Sequence, residues 1–416
     1  MTDAERVSFA PRRRQPLAGG PSLGALFSYG FRPFFFSAGL FAVLAMTIWL
    51  AWITSAAAGW WQGWLPVAGS AFAWHAHEMV FGFAAAAIGG FLLTAVPNWT
   101  GTLPLTGRPL AILFATWLAG RVAMGLSGLL PFPLVLLLDV AFLPILGAFA
   151  ARQLIVRPAA RNLMFLGLVA ALTVCNILFH LGNTGHLALD PFAPVRIALM
   201  VVIVMIAIVG GRIIPAFTHN WLNSNRRPTR MPQRIPWLEK TALAALVVFV
   251  LLEATGAPDA LLGLAAGVAA LAHGARLVLW RGFATRAEPI VWVLHLGYAW
   301  IVIGLALAAL AALTGAVPSA AITHAFGTGA IGTMTLAVMS RASLGHTGRR
   351  LIAPRPIVWT YYLITLAAAL RVAAPFWADG SAAALTAAAL AWISAFSLFT
   401  YVYAPILTTP RITSRH

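Results

Sequence analysis

Two imidazoles and a carboxylate stand at the start of a long apolar run. The stretch WHAHEM contains His75, His77 and Glu78. Imidazole is a common metal and haem ligand, and beside a carboxylate it can take part in proton transfer. At positions i and i+2 of a regular helix the two imidazoles point about 200° apart, so they share one metal only if the helix starts later. His75 and Glu78, three residues apart, would share one face.

The composition of the chain is that of a membrane protein. The 416 residues are 61% hydrophobic and 9% charged, and the mean hydropathy is +0.88. Soluble domains do not have this composition. Apolar runs long enough to cross a bilayer recur along the whole sequence, which predicts transmembrane helices. We therefore predict an all-α fold, a polytopic membrane helical bundle that forms a single integral membrane domain over residues 1–416.

The apolar runs predict about twelve transmembrane helices, separated by turn residues such as proline, glycine and asparagine. The predicted spans lie near residues 33–54, 72–96, 109–127, 132–153, 162–182, 193–214, 237–254, 259–281, 289–314, 318–340, 356–375 and 381–404.

The positive charges predict the orientation of these helices. Lys and Arg number 27 against 10 Asp and Glu, and the net charge is +17. The arginines concentrate in both tails and in the even-numbered connections, which by the positive-inside rule makes both termini cytoplasmic. Residues 1–28 would form a short basic N-terminal tail and residues 215–236 a basic cytoplasmic loop. This distribution indicates membrane topology, and we expect no nucleic-acid partner.

The predicted topology sorts the histidines into two layers. His75, His77, His180 and His324 fall in the periplasmic half of the membrane. His273 and His295 fall in its cytoplasmic half, and His346 in a cytoplasmic connection. The chain has one cysteine, which excludes disulfides, covalent haem attachment at CxxCH and iron–sulfur clusters held by cysteines. A single intramembrane histidine can equally form a hydrogen bond between helices, but the clustering favours a metal or haem.

Two further charged residues are predicted near the middle of the membrane. Asp139 lies in the fourth span and Arg121 in the third, both slightly to the periplasmic side of centre. Neighbouring helices with opposite charges at equal depth predict a buried ion pair. That pair could be purely structural or part of a proton path.

Several long motifs resemble the NnrS family. They are YGFRPFFFSAGLFAVLA (29–45), WHAHEMVFGFAAAAIGGFLLTAVPNWTG (74–101), GGRIIPAFTHNWL (210–222), VWVLHLGYAWIVIGLAL (291–307), HAFGTGAIGTMTLAVMSRASLGHTGR (324–349) and the YAPIL ending (403–407). The resemblance runs over nearly the whole chain. It implies a twelve-span bacterial inner-membrane protein that contains haem b and copper and protects against nitric oxide during denitrification.

The resemblance also suggests which residues hold these groups. The candidate haem ligands are His75, His77, His324, His273 and His295, and the candidate metal ligands are His75, His77, His324, His180 and His346. We expect a centre on the periplasmic side built from His75, His77 and His324, and a second haem between His273 and His295. Nitric oxide would be reduced there to N2O, with Glu78 as proton donor and an electron donor such as a quinol or a cytochrome.

Two other functions stay open at this stage. The chain could bind nitric oxide or metal as a sensor without turnover. It could also be a transporter, since twelve spans is a common transporter architecture, although few buried charges are available for ion coupling. The sequence does not decide the oligomeric state.

Overall fold

Long helices joined by short turns make up the computed structural model, which describes residues 19–57, 59, 65–156, 160–227, 229–377 and 380–412. All regular secondary structure in these residues is helical. After a short helix at Leu23–Leu26, the described residues contain twelve long helical segments. They are α1 (Phe31–Ala57), α2 (Ala71–Thr100), α3 (Gly107–Gly125), α4 (Phe132–Val156), α5 (Met164–Asn183), α6 (Phe192–Ser224), α7 (Pro236–Ala254), α8 (Asp259–Leu279), α9 (Pro289–Thr314), α10 (Ser319–His346), α11 (Arg355–Ala373) and α12 (Ser381–Thr408).

Ten of these segments are long and apolar enough to cross a membrane, which confirms the predicted all-helical membrane fold. The other two contain more charge for their length, since α3 carries Arg108 and Arg121 and α7 carries Glu239, Lys240 and Glu253. Each of the twelve predicted apolar runs coincides with one helical segment, although a total of twelve membrane crossings stays a prediction. Helix α6 continues to Ser224, so nearly half of the predicted 215–236 loop is helical.

Both ends of the described chain lie at the same end of the bundle. The backbone N–H of Ser22 donates to the carbonyl of Thr408 at 2.9 Å. We call this end, where α1 begins and α12 ends, the terminal end, and the opposite end the distal end. The predicted basic tail falls largely outside the described residues, since these begin at residue 19. The side of the membrane on which the terminal end lies stays a prediction.

Arg32 connects the two ends of the chain. Its side chain is 2% exposed, and Nη1 donates to the carbonyls of Leu407 (2.9 Å) and Thr409 (2.6 Å). The last carbonyls of a helix have no partner inside the helix. Arg32 therefore satisfies the C-terminal end of α12 and fixes it against α1.

We predict that Arg32→Gln destabilises the bundle by at least the value of one charged hydrogen bond, about 1.5–3 kcal/mol. The measurement is the unfolding midpoint in detergent. Arg355→Gln is the matched control, because Arg355 is exposed at the start of α11. Equal midpoints for the two variants would contradict this role of Arg32.

Three helices, α2, α6 and α10, are the most buried of the ten apolar spans and form the centre of the bundle. Two of them are interrupted by π-helical segments, Glu78–Ala84 in α2 and Ala325–Gly332 in α10. Each segment follows directly after a histidine, His77 or His324. A π-helical turn widens the helix and frequently marks a functional site. The two π-helical segments therefore indicate a candidate functional site in the distal half of the central helices.

Candidate metal centre

His77 lies at the centre of a buried polar cluster formed by α2, α4 and α5. Its Nε2 lies 3.0 Å from Oδ2 of Asp139 and 2.9 Å from Oδ1 of Asn176. The same Asp139 oxygen lies 2.9 Å from Nε2 of His180 and accepts a 2.9 Å hydrogen bond from the Asn176 amide. Asn176 and His180 are one helical turn apart on α5, so both face α2 and α4.

A second carboxylate and a guanidinium complete the cluster. Nδ1 of His77 lies 2.9 Å from Oε1 of Glu78, and Arg121 on α3 donates to that same oxygen at 2.6 Å. Arg121 also forms an ion pair with Asp139, as the equal depths of the two residues predicted. None of these side chains is more than 8% exposed. The charged groups are thus shielded from solvent, and each is stabilised by hydrogen bonds and ion pairs with the others.

The π-helical segment of α2 makes room for this arrangement. Gly82 lies beside the cluster, and a Cβ at this position would lie 2.9 Å from Nη1 of Arg121 and 3.0 Å from Oε2 of Glu78. Its carbonyl accepts a 3.0 Å hydrogen bond from the indole of Trp117 on α3. Glycine therefore lets the guanidinium approach the α2 backbone closely.

His77, Asp139 and His180 fit the donor set of a metal site. Their ligating atoms all lie within 4.8 Å of one another, and all three residues are buried. Two imidazoles and a carboxylate suit divalent transition metals such as copper or zinc. A metal-bound histidine usually donates its other ring N–H to a carboxylate or carbonyl, and Glu78 stands in that position at Nδ1 of His77.

The net charge of the cluster also favours the binding of a cation. With both carboxylates ionised and both imidazoles neutral, Glu78, Asp139 and Arg121 together leave one negative charge in the buried cluster. An uncompensated buried charge is costly. Either a proton on His77 or a bound metal ion would balance it.

His75 faces away from this cluster. Its ring stacks on Trp49 with 4.4 Å between ring centroids, and its buried Nδ1 has no hydrogen-bond partner in the described part of the chain. His324 at the start of α10 donates from Nδ1 to the carbonyl of Ala320 at 2.8 Å, which leaves its Nε2 free. Arg371 lies close enough to act electrostatically on both imidazoles. His75 and His324 therefore form a second group with available ring nitrogens at the distal end.

His273 has both ring nitrogens engaged. Nε2 donates to the carbonyl of Ala242 at 3.0 Å, and Nδ1 accepts from the hydroxyl of Tyr298 at 2.6 Å. Arg276 donates to that hydroxyl and to both carboxylate oxygens of Glu239. Since a haem ligand needs a free ring nitrogen, the surroundings of His273 do not fit the second haem expected between His273 and His295.

The other two candidate histidines of the terminal half, His295 and His346, lie apart from the distal groups. Nε2 of His295 donates to Thr218 at 2.8 Å, and its buried Nδ1 has no partner among the described residues. His346 packs against the aromatic rings of Tyr29 and Phe31 near the terminal end. Neither imidazole is part of the cluster of His77, Asp139 and His180.

Two features of the cluster differ from the expectation drawn from spacing. Glu78 pairs with His77 and not with His75, because the helix widens into a π-helical turn at Glu78 and Arg121 holds the carboxylate. Asp139 was predicted to pair with Arg121, but it also contacts both histidines. The signal for this was present, since Asp139 and His180 were both predicted on the periplasmic side of the membrane.

A protein-family model described as NnrS protein matches residues 25–411, nearly the whole chain. The chain belongs to the NnrS family. Membership fits a membrane protein of the nitric oxide response, and the family is associated with metal and haem binding in general. No curated protein matches the chain.

We predict that Gly82→Ala distorts the candidate metal centre of this NnrS-family chain. The new methyl group would lie 2.5 Å from a ring carbon of Phe41, 2.9 Å from Nη1 of Arg121 and 3.0 Å from Oε2 of Glu78, so the aromatic ring and the charged pair both have to shift. Such overpacking typically costs about 1–3 kcal/mol. The measurement is the unfolding midpoint together with the metal content after purification, and both should fall. Gly125→Ala on α3 is the control, because an added Cβ there would meet nothing within 4 Å. A Gly82→Ala protein that behaves like this control would show that the close approach is unimportant.

Proposed function

We propose that this NnrS-family protein binds nitric oxide and reduces it to N2O within the bacterial inner membrane, using copper and haem b. The observation that carries the proposal is the buried cluster of His77, Asp139 and His180, whose ligating atoms come from three helices. A dry site built from metal ligands is unusual inside a membrane, where ionisable residues are costly and mark function. Nitric oxide is small and apolar, so it can reach such a site from the bilayer.

In this proposal, His77, Asp139 and His180 hold the copper, and Glu78 positions the imidazole of His77. The donors are two nitrogens and one carboxylate oxygen, a set that copper(II) accepts well. Asn176 contacts His77 and Asp139 and orients both side chains. Arg121 bridges Glu78 and Asp139, which holds both carboxylates in place.

The haem would be held by His75 and His324. Support comes from the buried Nδ1 of His75, which lacks a partner among the described residues, and from the free Nε2 of His324. The guanidinium of Arg371, which acts electrostatically on both imidazoles, could pair with the carboxylates of a haem.

The reaction consumes two nitric oxide molecules, two electrons and two protons, and it yields N2O and water. When bound, haem iron and copper would supply the binding of nitric oxide and the electron transfer. The protein would supply protons and exclude water. Glu78 suits the first task because Oε1 is fixed by His77 and Arg121, whereas its buried Oε2 has no partner in the described residues. The electrons would come from a quinol or a cytochrome.

The test is anaerobic nitric oxide consumption by the purified protein with a chemical reductant, followed with an electrode and by N2O analysis. The proposal expects a Soret band, bound copper and N2O formed at half the rate of nitric oxide loss. A Soret band that shifts with nitric oxide without N2O would indicate a sensor. A protein with neither haem nor metal would exclude the proposal and favour a transporter.

A further inference from the structure

Unpaired hydroxyl groups concentrate in one part of the bundle. In the described part of the chain, all five hydroxyls that are buried without a hydrogen-bond partner lie on three neighbouring helices, α10, α11 and α12. They belong to Thr333, Ser343, Tyr361, Thr400 and Tyr403. No such hydroxyl is found on the other nine long helices within the described ranges. Other buried side-chain atoms without a partner in these ranges, such as the indole nitrogens of Trp74, Trp280 and Trp300, are spread over the bundle, so it is the hydroxyls that distinguish this place.

Four of them, those of Thr333, Ser343, Tyr361 and Tyr403, are grouped with the hydroxyl of Ser340, and we call this group the hydroxyl series. Thr333, Ser340 and Ser343 are spaced by seven and three residues, so they lie on one face of α10. The phenols of Tyr361 and Tyr403 both lie beside Ser340. Ser340 donates to the carbonyl of Leu336 at 2.6 Å, and its oxygen can still accept.

The series reaches towards both ends of α10. At the terminal end, Nη1 of Arg349 is also buried and has no partner among the described residues. From Ser343 to Thr333 the series covers about 15 Å of helix. At the distal end, Thr333 lies nine residues, or about 13 Å by helical rise, from His324. The intervening residues form the π-helical segment of α10.

A buried hydroxyl without a partner costs about 1–3 kcal/mol. Five such groups in one place would be a heavy penalty, and buried polar groups without protein partners usually bind internal water. A hydroxyl and a water molecule can each donate and accept a hydrogen bond, which is what proton transfer along a chain requires. Glu288 and Arg341 are the charged groups that act on Tyr361, at the terminal side of the series.

We infer that α10, α11 and α12 enclose a chain of internal waters held by these hydroxyls, which conducts protons from the terminal end of the bundle towards His324. No net charge accumulates, since each group passes on one proton as it accepts another. The inference of internal water does not depend on the proposed function. The use of the protons rests on the proposed function, because nitric oxide reduction consumes two of them.

X-ray radiolytic labelling tests the water directly in the purified full-length protein. Hydroxyl radicals formed from internal water modify side chains next to it even when these are buried. We expect Tyr361 and Tyr403 to be oxidised severalfold faster than Tyr298. The three tyrosines are all 0% exposed, but the hydroxyl of Tyr298 is already bonded to Arg276 and His273. If Tyr361 and Tyr403 react as slowly as Tyr298, the inference is overturned.

Proton conduction is tested by Tyr361→Phe and Ser340→Ala in proteoliposomes that contain a pH dye. We expect proton uptake during nitric oxide consumption to fall at least tenfold, with the haem and copper content unchanged. Tyr401→Phe is the matched control, because Tyr401 is 81% exposed. Unchanged proton uptake in both path variants would remove the conducting role. If the wild-type protein consumes no nitric oxide but Tyr361 and Tyr403 are labelled fast, the proposed function is wrong and the inference of internal water still holds.

Discussion

Asparagine in place of Asp139 should remove the metal from the buried centre. Oδ2 of Asp139 is the one atom that contacts both His77 and His180, at 3.0 and 2.9 Å. The substitution keeps the shape of the side chain but removes the charge that attracts a cation. Loss of a partner behind a ligand already lowers metal affinity about 10–100-fold, so loss of the ligand itself should lower it by more than about 100-fold. Metal analysis after dialysis against a chelator gives the measurement.

The control for this prediction is Glu253→Gln. Glu253 also lies at the distal end and has its own arginine, Arg196, at 4.0 Å, but it lies outside the cluster. Its variant should retain full metal content. Asp139→Asn leaves Arg121 with one carboxylate partner fewer, so the unfolding midpoint has to show that this variant is folded. His180→Gln serves as a second variant, because it keeps the ion pair between Arg121 and Asp139. Full metal content in folded Asp139→Asn and His180→Gln proteins would rule out this site.

The sequence predicts the helices well because membrane spans are defined by long-range apolar composition. The ninth predicted span, 289–314, has the same bounds as Pro289–Thr314 in the structure. The poorest agreement is at the end of α6, which continues ten residues beyond the predicted end of the sixth span. Composition alone cannot reveal this end, because polar residues such as Thr218, His219 and Asn220 interrupt the apolar run after Pro215 yet remain helical.

The candidate site was only partly predictable, for reasons of geometry. Opposite faces for His75 and His77 follow from the period of a helix, and depth alone paired Arg121 with Asp139. The hydrogen bond between His77 and Glu78 could not be predicted from that period, since a π-helical turn changes it. The contact between Asp139 and His180 requires knowledge of which helices are neighbours. Sequence spacing within one helix contains no such information.

Alanine in place of His324 should abolish haem binding, and His75→Ala should do the same or leave a weakly held haem. The two imidazoles have free ring nitrogens and share Arg371 as a charged neighbour. His273→Gln should leave the haem in place, because His273 is saturated by Tyr298 and Ala242. The measurement is the Soret absorbance per chain in purified protein. A full Soret band in the His324→Ala protein, or its loss in a folded His273→Gln protein, would overturn this assignment.

The two sets of variants together decide whether the proposed haem and copper would form one centre or two. On a helix, His75 and His77 point about 200° apart, and the structure gives them different partners, Trp49 for His75 and Asp139 for His77. We therefore expect a double dissociation in which Asp139→Asn loses copper and keeps the Soret band, whereas His324→Ala loses the Soret band and keeps copper. A shared centre of the kind expected from His75, His77 and His324 together would instead lose both groups in either variant. The backbone of α2 separates the two imidazoles, so removing a ligand on one face should leave the opposite face intact.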